Sequence, residues 1–126
     1  INGTCGTCHS SPNVGNHSVS LPIDIGVADT TNSLGVSYLP VITLQNIATG
    51  ETVHTTDPGR ALITGKFADI AKFKGPILRG LAARAPYFHN GSADNLTDVV
   101  DFYNARFAIG LTQQERADLI AFLKTL

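Results

Sequence analysis

The clearest periodic signal lies near the C-terminal end of the chain. Leu96, Val99, Val100 and Tyr103 recur at spacings of three and four, which puts them on one face of a helix over 96–106. Asp94 or Asn95 stands where its N-cap belongs. A second helix follows. Thr112 and Glu115 open it in the pattern of a capping box, and Leu119, Ile120, Phe122 and Leu123 form its apolar side.

The pattern is weaker upstream. Residues 61–73 suit one short helix or an extended segment, with Gly65 interrupting the periodicity. Pro76 fits the first turn of a short helix, Pro76–Leu81. The stretch Ala85-Pro86-Tyr87-Phe88-His89-Asn90-Gly91-Ser92 reads as a turn between helices. Residues 11–60 are rich in Gly, Ser, Thr, Asn, Asp and Pro, and read as an ordered long loop. Within it, Val41–Leu44 and Glu51–His54 flank a turn at Gly50 and predict a small hairpin. A loop of that length in a compact domain usually has a job. The expected class is mostly α, with long irregular loops and a small β-hairpin.

Composition narrows this little. A chain of 126 residues is the size of one domain, 1–126, and 43% hydrophobic residues suit a globular core. A formal charge of −1 gives no electrostatic footprint for nucleic acid or an anionic membrane. No apolar run reaches membrane-spanning length.

The two cysteines change the picture. Both fall in one pentapeptide, Cys5-Gly6-Thr7-Cys8-His9. A zinc half-site would want a second Cys/His pair at close spacing, and His17 and His54 do not supply one. A redox dithiol should follow a strand and open a helix, and no strand precedes it. The immediate histidine decides for covalent haem attachment. In C-x-x-C-H both thiols add to the haem vinyl groups, and the next residue reaches the iron from the same helical turn. Residues 1–10 are therefore expected to form one such turn, with His9 as proximal ligand. Only four residues precede Cys5, where a helix normally stands, so the chain reads as part of something longer.

The second axial position is open to several side chains. Methionine is the usual choice, and the chain has none. His17, His54, His89, a lysine, a tyrosine or no ligand remain. Lysine would have to lose its proton first. Taken from the residues alone, bis-histidine leads, ahead of tyrosine and an open site.

The segments Pro12–Gly15, Phe73-Lys74-Gly75-Pro76-Ile77-Leu78-Arg79, Ala85–Ser92 and Leu96–Tyr103 together resemble the C-terminal haem domain of bacterial dihaem cytochrome c peroxidases and their MauG-type relatives. The resemblance implies a cytochrome c-like haem domain. In the peroxidases the distal ligand is a methionine fourteen residues beyond the signature histidine; counting from His89 reaches Tyr103, where the MauG branch has a ligating tyrosine. By the same resemblance His89 sits near the haem without binding iron, and Arg79 pairs with a propionate. A calcium ion is implied through the backbone carbonyls of Arg84 and Pro86. Gly80 departs from the family, which usually has asparagine after the Leu-Arg pair. The chain also has no tryptophan, and the family's inter-haem tryptophan belongs to the other domain.

A tyrosinate ligand favours ferric over ferrous iron and helps a haem reach higher oxidation states. The resemblance therefore implies an electron relay or store serving a peroxidase-like dihaem protein, with a second haem domain or redox protein as partner. Two other readings stand beside it: a stand-alone monohaem shuttle with His/His ligation, and an open-site, peroxide-reactive haem. Covalent haem attachment takes place outside the bacterial cytoplasm, so a periplasmic or extracellular location is expected.

Overall fold

A computed structural model describes residues 5–9 and 18–126. His17 and the Pro12–Gly15 segment lie outside the described residues. The chain divides into two compact units, one made of Ile1–Ser20 with Gly75–Leu126, the other of Leu21–Lys74.

In the first unit, α1 (Cys5–Cys8) is a single helical turn. The expected short helix over Pro76–Leu81 does not form. Gly80 sits in the left-handed region at φ 69°, which no right-handed helix accommodates, and the chain makes only a 3₁₀ turn at Leu81–Ala83. The following turn contains a cis Ala85–Pro86 bond. It closes as Tyr87 and Ala93 exchange backbone hydrogen bonds of 2.7 and 3.4 Å.

Helix α3 spans Leu96–Arg106. Asn95 is its N-cap, and its side-chain oxygen accepts from the amides of Thr97 (2.9 Å) and Asp98 (3.1 Å). Those amides would otherwise lack partners in the first turn. Leu96, Val100 and Phe102 are buried. Phe102 is the residue the 3/4 pattern left out. At 2% exposure it is as buried as any side chain of this unit's core apart from Ala93.

Helix α4 spans Gln113–Leu123. Its capping box forms as expected: the Thr112 hydroxyl accepts from the Glu115 amide at 3.2 Å, and Glu115 accepts from the Thr112 amide at 2.8 Å. Ile120 is its buried residue, while Phe122 is half exposed at 50%. The assignment of Phe122 to the apolar side is therefore corrected. At about 100° per residue it lies almost opposite Ile120. Arg116 on α4 grips Asp101 on α3 through two parallel hydrogen bonds, the longer 2.6 Å.

The second unit contains the hairpin. Strands β1 (Ile42–Gln45) and β2 (Thr52–Thr55) pair antiparallel, with Ile42 opposite Thr55 and Gln45 opposite Thr52. Both start one residue later than the sequence suggests. The Ala28 carbonyl anchors the end of β2, accepting from the Thr55 hydroxyl (3.1 Å), the Thr56 hydroxyl (3.0 Å) and the Thr56 amide (2.9 Å). Val27, Ala28, Val36 and Ala71 form a small core around it. What reads as loop is thus a compact unit in its own right.

Helix α2 (Ala61–Thr64) stops at Gly65, which caps it at φ 65°. Gly59 precedes it at φ 58°; a Cβ there would meet the Lys72 carbonyl at 2.8 Å. No helix among the described residues is long and apolar enough to cross a membrane. The whole is mostly helical and irregular, with one two-stranded hairpin.

Candidate haem site

The turn of α1 places Cys5 and Cys8 one turn apart as free thiols, Cys5 exposed and Cys8 partly so. The turn closes when the His9 amide donates to the Cys5 carbonyl at 2.9 Å. The returning chain then fixes its other side. The Val19 amide donates to the Cys8 carbonyl at 3.0 Å, and His9 and Ser18 form an antiparallel bridge. The Ser18 hydroxyl donates in turn to the Gly75 carbonyl at 2.5 Å. The backbone at Gly75 runs close beside the motif: a Cβ there would lie in ordinary van der Waals contact, 3.6 Å from Ser18 Cβ and 3.9 Å from His9 Cε1.

His9 is therefore locked by backbone on both sides. Its imidazole pKa is lowered by burial, which the Pro76 carbonyl partly opposes. The neutral imidazole that results is the form that binds metal. Nδ1 is buried and has no hydrogen-bond partner among the described residues. Two thiols on one turn, followed at once by a half-buried imidazole held by backbone on both sides, are a donor set that fits haem c. When bound, the haem supplies a one-electron iron couple; the residues set its attachment and its axial environment.

Tyr103 lies on α3. Its hydroxyl pKa is pushed up to about 12, first by burial, then by the negative charge of Cys8 and Cys5. The second cause is positional. It means that the phenol lies within electrostatic reach of both motif thiols. Around it stands an aromatic cluster. Phe102 and Phe107 lie 5.7 and 6.0 Å from Tyr103 between ring centroids, and Phe88 lies 6.0 Å away.

The other candidates are placed differently. His89 is exposed in the turn between Tyr87 and Ala93. Its neighbour Ser92 has a buried hydroxyl oxygen without a partner among the described residues. Arg79 is exposed, and Arg84 is exposed with its guanidinium donating to the Ile77 carbonyl at 3.3 Å. Pro86 is exposed as well. His54 belongs to the second unit, on the exposed face of β2, where its Nδ1 is 2.9 Å from the Thr43 hydroxyl. The structure thus brings Cys5, Cys8, His9 and Tyr103 into one unit. Phe88, Phe102 and Phe107 are members of this neighbourhood that sequence reasoning missed. Of these, the spacing of Phe107, four residues beyond Tyr103 at the end of the same helix, is the signal that could have been read.

Comparison with known proteins agrees with this geometry. Residues 72–109 match the family model described as RoxA-like, cytochrome c-like. The chain is 34% identical over 98% of its length to the cytochrome-c peroxidase IdrP2 of Denitromonas iodatirespirans, covering 36% of that protein. It is 31% identical over 97% of its length to the cytochrome c551 peroxidase of Nitrosomonas europaea, covering 30%. With the methylamine utilization protein MauG of Methylorubrum extorquens it shares 35% identity over 54% of its length and 24% of that protein. No solved structure matches significantly. The chain spans about a third or less of each of these relatives. It belongs to the cytochrome c peroxidase/MauG family, as a cytochrome c-like haem domain.

Proposed function

We propose that the chain is a six-coordinate electron-relay domain, binding one haem c through Cys5, Cys8 and His9, with Tyr103 as the distal ligand. What supports this is the place of Tyr103 in the same compact unit as the motif, largely buried and packed against the rings of Phe88, Phe102 and Phe107, with the motif thiols among the causes that push its pKa up. Partial burial limits the access of a competing solvent ligand to the phenol oxygen. Its high intrinsic pKa makes it a strongly basic anionic donor once the proton leaves. Such a donor favours ferric iron. His9 opposes it with a neutral nitrogen held by the Cys5 and Cys8 backbone.

The remaining roles follow the resemblance. Arg79 is exposed and has no ion-pair partner among the described residues, which suits a guanidinium reserved for a haem propionate. His89 sits near the haem edge without binding iron. The carbonyls of Arg84 and Pro86 contribute to a calcium site. A second haem domain or a redox protein is the partner, and the peroxidases among the relatives point to storing or passing oxidising equivalents for a peroxidase-like reaction. Covalent haem attachment places the domain in the periplasm or outside the cell.

Tyr103→Phe tests the reading. The variant should retain covalent haem by mass while its ferric absorption spectrum changes. An unchanged spectrum overturns the ligand assignment.

A further inference from the structure

Tyr103 sits on α3 with two phenylalanine rings packed against it, Phe107 from the residue that ends the helix and Phe88 from a distant turn. Phe107 follows it by four residues, and its amide donates to the Tyr103 carbonyl at 3.1 Å. The two rings are stacked, 6.0 Å apart and 16° from parallel. Phe107 is nonetheless 53% exposed. Burial therefore supplies only part of the reason for a large apolar ring there; the contact with Tyr103 supplies the rest. The guanidinium of Arg106 lies 5.9 Å from the ring centroid and shields it further.

Phe88 comes from the Tyr87–Ala93 turn. Its φ is 66°, a left-handed conformation that costs a bulky side chain energy and suits glycine. That backbone places the ring 5.0 Å from Phe102, edge-on at 64°, and 6.0 Å from Tyr103 at a 49° tilt. Both geometries are favourable for aromatic pairs.

We propose that Phe88 and Phe107 clamp the Tyr103 ring and fix the direction of its hydroxyl, so that both are positioning residues for the distal ligand. The inference rests on Tyr103 binding the iron, as proposed above. A phenol free to rotate about its side-chain bonds would sample directions away from the iron; two ring contacts on different elements remove that freedom.

The test is low-temperature EPR of the ferric, haem-loaded protein and of Phe107→Leu, Phe88→Gly and Phe107→Tyr. Phe88→Gly removes the ring while suiting the backbone, so its loss of signal cannot be charged to strain. Thermal melting of each holoprotein reports folding independently. Phe107→Leu and Phe88→Gly should lose low-spin intensity to a high-spin signal with haem still attached. Phe107→Tyr, which keeps the stacked ring, should retain the wild-type spectrum. Unchanged low-spin intensity in both folded ring-removing variants overturns the clamp and leaves the ligand assignment intact. A wild-type spectrum without a His/tyrosinate signature overturns both.

Discussion

The phenol of Tyr103 and the thiol of Cys8, at opposite ends of the chain, lie within electrostatic reach of one another in the same compact unit. Burial, and after it the negative charge a thiolate at Cys8 would carry, holds the Tyr103 hydroxyl above the usual tyrosine range. Haem attachment changes this relationship. Once the thiols become thioethers they carry no charge, and that part of the upward shift disappears. Burial, the larger cause, remains.

His89 provides a control. It is exposed in its turn, where Tyr103 is partly buried beside the motif. His89→Ala should leave the ferric and ferrous absorption spectra at the wild-type positions. Displaced bands would put His89 on the iron and restore the bis-histidine reading.

Phe102 is the interior brace of α3, at 2% exposure, with Phe88 packed edge-on against it. Phe102→Ala should cost about 3–5 kcal/mol, the usual range for emptying a buried phenylalanine site. Urea denaturation of the holoprotein measures this. A loss well under 1 kcal/mol would mean that the cavity collapses or that the site is less buried than described.

Gly59 is fixed by its surroundings as well as by its φ of 58°. An added Cβ would meet the Lys72 backbone carbonyl at 2.8 Å, and backbone cannot swing aside as a flexible side chain can. Gly59→Ala should destabilise the protein by more than about 1 kcal/mol, beyond what the gain in unfolded-state rigidity returns. Equal urea midpoints for the two proteins would contradict the close approach.

These cases separate what sequence could read from what it could not. Both long helices were legible because their caps are local: Asn95 and Thr112 bond amides two and three residues on. The hairpin was legible to within one residue because Gly50 marks its turn at φ 76°. Pro76–Leu81 misled because the proline suits a helix start, while Gly80, four residues on, takes a left-handed φ that stops one. The compact second unit was hidden because its core rests on long-range bonds to the Ala28 carbonyl from Thr55 and Thr56, and no periodicity announces those. Within the site, Cys5, Cys8 and His9 are contiguous and therefore visible. Tyr103 was visible only through family resemblance. Phe88 could not be found at all, since its part depends on a backbone conformation that phenylalanine seldom adopts.

The Asp101–Arg116 pair gives α3 and α4 a dependence on pH. The Asp101 carboxyl is held below the usual carboxylate range, chiefly by its hydrogen bonds to Arg116. A carboxylate with a depressed folded-state pKa contributes stability above its unfolded value, about 3.9, and loses it as the pH falls through the folded value. The pair is solvent-exposed, so the effect should be small. Asp101→Asn should lower the urea midpoint slightly near neutral pH and leave it close to wild type in strong acid. A difference that persists undiminished below about pH 2 would assign the loss to packing rather than charge.

The most direct test of the central claim is the low-temperature EPR spectrum of the ferric wild-type protein. Ligation by His9 and Tyr103 predicts a dominant low-spin signal of histidine–tyrosinate type, absent from Tyr103→Phe. A bis-histidine signal, or a dominant high-spin signal in the wild type, would contradict it.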